Sequence, residues 1–258
     1  MASGKGTSPK DDLDPTEQSF VSHLVELRTR LMRAILCVLA VLLVLMPVAN
    51  PLYSWLSQPM MEKMAAVGAQ MIATQVASPF LAPFKLSCFL AVMISVPYIF
   101  YQLWAFVAPG LYRNERQLVL PILTSGTLLF YAGVAFAYYL VLPTVFKFFV
   151  GSTPSGVSMM TDVSKYLDFV LKLFMAFGFA FEMPVAIVLM VLTGFVTPAQ
   201  LAARRDYVLV GVFVAAAILT PPDVLSQLML AVPAYLLYEV GILASRWLVK
   251  GREVPAES

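Results

Sequence analysis

Charged side chains are scarce in this sequence. Asp, Glu, Lys and Arg make up 12 % of its 258 residues, about half the share found in a soluble chain of this size. A globular surface facing water needs more, so a soluble domain is excluded. Histidine and cysteine are scarcer still, at one and two residues. The lone His23 has no His or Cys neighbour at metal-ligand spacing, which leaves no metal site to expect. Cys37 and Cys88 fall inside apolar runs and read as small core residues, silent about redox compartment. There is no GxxxxGK[ST] phosphate loop and no GxSxG elbow. Neither motif-borne chemistry is therefore expected, and the reading of the chain calls for no enzyme, cofactor or nucleic-acid partner. Residues 1–19 also lack the apolar core of a cleaved signal peptide.

What the chain has is apolar length. Sixty per cent of it is hydrophobic, in runs of 18 or more that do not alternate with polar residues, so the segments are membrane-crossing helices and not barrel strands. The reading is an all-α polytopic membrane protein with six spans, near residues 31–48, 86–107, 118–142, 167–192, 207–220 and 224–244. Before the first span, FVSHLVELRTRLMR sets Phe20, Leu24, Leu27 and Leu31 near helical spacing, with Glu26, Arg28, Arg30 and Arg33 on the other faces. That is an amphipathic surface helix leading into the membrane. Residues 1–19 and 249–258 read as tails, the first of them disordered by composition, and residues 20–248 as one membrane domain.

The last two spans are short. Fourteen residues rise about 21 Å against a hydrocarbon core of about 30 Å, and about 15 apolar-dominated residues precede Glu239. Local thinning of the bilayer around them is the expectation. Between them TPPD makes a tight turn, because Pro221 and Pro222 cannot continue a helix. Of the 17 Lys and Arg, twelve fall on the side that carries both termini and five on the other, which predicts cytoplasmic termini. The cytoplasmic connections are brief. The outer segments, 49–85 and 143–166, are long and Pro-rich, with residues 51–67 expected as a helix along the outer surface. No internal repeat is visible.

Few residues are left to carry function. Glu26 and Glu115 lie at the cytoplasmic mouth, each beside arginines. They are either solvated surface pairs or two carboxylates awaiting a basic ligand, which they would accept bidentately. Glu182 sits within an apolar run, followed by Pro184, which frees a carbonyl near Ala180. It reads as a hydrogen-bond partner of another span (Thr124, Ser125, Thr127 or Gln227), as a partner-binding group, or as a proton carrier. Asp223 suits the amino-terminal cap of the last helix, and Thr220 and Gln227 add polar groups beside it that suit another transmembrane helix. Gly126, Gly133 and Gly178 would permit close helix approach.

The motifs taken in order resemble one family. FVSHLVELRTRL, ASPFLAPFKL, YQLWAFVAPGLYRNER, FMAFGFAFEMPVAI, RRDYVLVGVFV and LTPPDVLSQLMLAVPAYLLYE are similar to TatC, the multi-spanning subunit of the twin-arginine protein translocase. The resemblance covers about residues 18–248. It implies a cupped six-helix structure in the bacterial cytoplasmic (inner) membrane, working in an oligomeric complex with the single-span partners TatA and TatB and driven by the proton-motive force. It also implies that Glu26 and Glu115 contribute to the site for twin-arginine signal peptides of folded precursors. Arg28, Phe106 and Pro59, the last in the first outer loop, match positions the family associates with function. Glu182 matches an intramembrane glutamate on the concave face, and Thr220, Asp223 and Gln227 match positions for partner docking. The rival reading is a proton-coupled transporter of small solutes using Glu182. It predicts a paired intramembrane charge and repeat symmetry, and neither is evident.

Overall fold

The computed structural model describes residues 15–55, 58, 70–107, 119–152, 160–220 and 223–250. The described residues are helical almost throughout. The first span is α1 (Pro15–Leu45), continued past a 3₁₀ turn at Met46–Val48, where Pro47 interrupts the ladder, into helical residues 49–55. Two expectations are adjusted here. Helix begins at Pro15, inside the stretch read as a tail, and residues 51–55 continue the first span. Most of the expected outer helix, Pro221 and Pro222 of the turn, and the rest of both tails beyond Lys250 and before Pro15 lie outside the described residues.

The second span, α2 (Ser78–Val107), starts earlier than the apolar run because it absorbs Pro83 and Lys85. Lys85 is not left bare at that depth: its Nζ donates to both carboxylate oxygens of Asp168, at 2.7 and 2.9 Å. The third span is α3 (Val119–Phe136), a π turn (Ala137–Val141) and α4 (Leu142–Gly151). It continues past the expected end at 142, with Pro143 in the first turn of α4, and in the π turn the ladder shifts by one residue, the Leu142 amide donating to the Ala137 carbonyl.

The fourth span is α5 (Val163–Phe181) and α6 (Met183–Leu192), broken at Glu182. Gly194, at φ +74°, then closes α6, and the amide of Phe195 returns to the Met190 carbonyl. A short helix α7 (Pro198–Ala203), started by a Thr197–Gln200 capping box, leads to α8 (Arg205–Leu219) and α9 (Val224–Lys250). Among the described residues, five helical segments are long and apolar enough to cross a bilayer. The sixth, α8, has 15 residues and rises about 22 Å. α9 itself is long, and what is short in it is the apolar stretch before Glu239.

Packing runs as a series: α1 against α2, α2 against α3 and α5, α5 and α6 against α9, and α9 against α8. The core gathers Phe174 and Phe177 of α5, Val141 and Val145 of the third span, Ala216 of α8 and Ala231 of α9. At the end opposite the termini, β1 (Gln70–Ile72) and β2 (Met160–Asp162) pair in parallel. Asp162 fastens this pair. It accepts from the Thr74 hydroxyl and amide with one oxygen and from the amides of Ser164 and Lys165, which begin α5, with the other. The Thr74 bonds, first the hydroxyl and then the amide, and the helix amides hold its carboxyl well below the usual carboxylate range.

α2 also contains Pro97, which leaves the Met93 carbonyl without its helical donor. The Tyr131 hydroxyl of α3 supplies the missing bond at 2.7 Å. In hydrocarbon no water can replace it. Tyr131→Phe is expected to lower stability by about 1 kcal/mol while keeping the ring packing. Thermal unfolding in detergent, followed by thiol-dye labelling of Cys37 and Cys88, measures this, and an unchanged midpoint would mean the carbonyl finds another donor.

Candidate functional site

Three groups of polar side chains stand out along the bundle. At the terminal end, Glu26 Oε1 accepts from Arg30 Nε and Nη2, at 2.9 and 2.5 Å, one turn along the same helix. Both side chains are partly exposed, so this pair is worth a few tenths of a kcal/mol. Oε2 has no partner among the described residues. Arg28 is exposed, as are Leu27 and Thr29 on either side of it. Three residues before Glu26, His23 stacks on Phe106 of α2, with ring centroids 4.2 Å apart and planes 20° from parallel. Phe106 is thus half-buried at the last turn of α2, next to α1. Glu115 and Pro59 lie outside the described residues.

At mid-span, Glu182 occupies the break between α5 and α6. Its amide turns back to the Phe179 and Ala180 carbonyls, so the backbone group that Pro184 frees is satisfied locally. Its side chain is not: Oε1 is buried without a hydrogen-bond partner. The hydroxyls proposed as partners are all engaged in their own helix, Thr124 with Leu120, Ser125 with Ile122 and Thr127 with Leu123. Gln227 donates to the Phe213 carbonyl instead. The other oxygen, Oε2, lies against Gly126 of α3, where a Cβ would approach it to 3.1 Å. Glycine therefore makes the room this carboxylate occupies.

The third group surrounds the start of α9. Asp223 accepts from the Ser226 amide at 2.7 Å, the expected cap. Its Oδ2 and the Ser226 hydroxyl are buried without partners. Thr220 is buried and its hydroxyl donates to the Ala216 carbonyl at 2.8 Å. Beside them Leu209, Val210, Phe213, Val214 and Ala217 of α8, with Gln227 of α9, line a shallow apolar groove of about 320 Å³. No group of three His, Cys, Asp or Glu suited to a metal is found among the described residues.

The comparisons with known proteins bear on all three groups together. The family model described as Sec-independent protein translocase protein (TatC) matches residues 22–233. The chain belongs to the TatC family. It is 52 % identical over 243 residues to TatC of Halothiobacillus neapolitanus, which covers 92 % of this chain and 66 % of that longer protein. It is 50 % identical to TatC of Escherichia coli over 236 residues, 91 % of each chain. A crystal structure titled twin arginine translocase receptor TatC superposes with a TM-score of 0.78 at 35 % identity, covering 88 % of this chain and 99 % of that one. A second, of TatC in DDM, gives the same TM-score at 36 % identity.

TatC is a translocase component and not an enzyme family, which sets aside the solute-transporter reading. The TatC match spans every candidate residue from Glu26 to Gln227, including the undescribed Glu115 and Pro59. Two contacts in this TatC chain escape sequence reasoning. Arg205 holds Glu239 bidentately, at 2.7 and 2.8 Å, and so fastens the start of α8 to α9 where the apolar stretch ends. The His23–Phe106 stack joins residues on different spans, and no spacing rule connects them. An Arg opening one short helix and a lone Glu late in the next were the available signal for the first pair.

Proposed function

We propose that this chain is the receptor subunit of a twin-arginine translocase in the bacterial cytoplasmic membrane, with both termini in the cytoplasm. Glu26, together with Glu115, takes the paired arginines of a folded precursor's signal peptide, with Arg28 and Phe106 beside them. The groove at α8 and α9, with Thr220, Asp223 and Gln227, receives the single helix of a TatA- or TatB-type partner, and Pro59 belongs to the outer loop. The proton-motive force drives export, and the working form is an oligomeric complex.

The observation that supports this reading best is the Glu26 carboxylate. One oxygen is engaged by a partly exposed, weak pair with Arg30, and the other has no partner among the described residues. A guanidinium can take both oxygens at little cost to the resident pair. An ammonium cannot reproduce that fork, so an arginine-to-lysine exchange in the ligand should be resisted. In nanodiscs holding the full chain, Glu26→Ala is expected to bind a synthetic twin-arginine signal peptide about tenfold to a hundredfold more weakly. A twin-lysine peptide should lose a similar factor on the wild type and nothing more on the variant. Equal binding of both peptides by both proteins would place the site elsewhere.

A further inference from the structure

We propose that His23 is a positioning residue of the signal-peptide site: its imidazole, stacked on Phe106, keys the start of α1 to the last turn of α2 and fixes where Glu26 presents its carboxylate. This rests on the reading of Glu26 given above.

The geometry of α1 makes such a key necessary. Leu24, Val25, Leu27 and Leu31 are each more than 40 % exposed, so this end of the helix is held chiefly from one side. α1 packs along α2, and His23 on Phe106 and Cys37 Sγ at 3.8 Å from Ser95 Oγ are two of the side-chain contacts between them. Glu26 is three residues, about 4.5 Å of rise, from the first contact and eleven residues, about 16 Å, from the second. A tilt of about 10° pivoting at Cys37 would carry Glu26 sideways by about 3 Å, far outside the tolerance of a bidentate hydrogen bond. The stack, at the terminal end of the packing between α1 and α2, resists that tilt with the longest lever arm. Arg30, the resident partner of Glu26, is on the same helix and moves with it, so it contributes no such restraint.

The side-chain type fits this role. His23 is exposed at the edge of the apolar span, where a ring must cover Phe106 with its face and keep a polar edge in water. Imidazole does both, and a stacked pair of this kind is worth about 0.5–1.5 kcal/mol beyond its area. An aliphatic or amide side chain at 23 would supply one property without the other. Tyrosine would supply both.

The test uses the full chain in nanodiscs and a synthetic twin-arginine signal peptide as probe. His23→Ala and His23→Gln are expected to weaken binding about fivefold, and His23→Tyr to stay within about twofold of wild type. In a Glu26→Ala background, His23→Ala should cause no further loss, because the histidine acts through that carboxylate. Spin labels at Leu27→Cys and Leu103→Cys, in a chain without Cys37 and Cys88, should show a broader distance distribution in His23→Ala than in wild type. Losses that add in the double variant, a tyrosine variant as weak as the alanine one, or an unchanged distance distribution would each overturn the inference. A silent His23→Ala beside a defective Glu26→Ala would sink the inference alone. An intact Glu26→Ala would sink the carboxylate reading beneath it.

Discussion

Gly133→Ala is expected to lower the thermal unfolding midpoint of this chain by about 6–12 °C. A Cβ at that position would lie 2.5 Å from the Phe177 carbonyl oxygen and 2.9 Å from Cγ of Phe181. The first of these is backbone of α5, which cannot rotate away as a side chain can. The crossing of α3 and α5 must therefore open, and overpacking against backbone belongs near the upper end of the usual cost, about 3 kcal/mol. Across the same crossing, a Cβ on Gly178 would meet the buried Phe130 ring at 2.7 Å, so the two helices approach through a glycine from each. Small residues are how helices associate where lipid already solvates the apolar faces. Gly211→Ala is the control, since a Cβ there meets nothing within 4 Å, and its midpoint should move by less than about 2 °C. Equal midpoints for the two variants in the thiol-dye assay would show that the crossing is not this close.

Glu182 carries the second large effect. Its buried, unpartnered Oε1 is a costly feature to keep, on the order of 1–3 kcal/mol. Such a group is better tolerated when another molecule pairs with it, and under the proposed function that molecule is a partner's helix or an inserting signal peptide. Export of a twin-arginine precursor is expected to fall about tenfold or more in Glu182→Ala and to stay within about threefold in Glu182→Gln, which keeps a donor and an acceptor at the same place. Gly126→Val should resemble Glu182→Ala, because its side chain would take the space beside Oε2. Loss in the glutamine variant equal to that in alanine would replace hydrogen bonding with titration as the role of this carboxylate.

Much of the fold can be read along the chain because its determinants are local. Spans announce themselves by apolar length, and Asp223 announced its cap by following a proline turn. Asp162 behaves in the same way toward α5 but does something the chain could not disclose, since its second oxygen reaches Thr74, 88 positions away. The candidate site divides along the same line. Glu26, Glu182 and Gln227 stand out as polar groups in or beside apolar runs, so their unusual cost is visible before folding. Their partners are not. Glu26 chose Arg30 over its nearer neighbour Arg28 because spacings of three or four, and not two, bring side chains together on a helix face. Glu182 found none of the four polar residues offered to it, because the three short hydroxyl side chains bond their own preceding turn first and Gln227 donates to the Phe213 carbonyl of the neighbouring helix.

Composition alone determined that this chain lives in a membrane as helices, since water cannot solvate its surface and hydrocarbon cannot satisfy an open backbone. Motif order determined its family. The tertiary structure decided which helices touch, and through them that Tyr131 repairs the carbonyl freed by Pro97, that Gly126 makes space for Glu182, and that His23 covers Phe106. Each of these is a contact between spans whose separation along the chain exceeds any helical period, so only the packing of one helix on another could bring it into being.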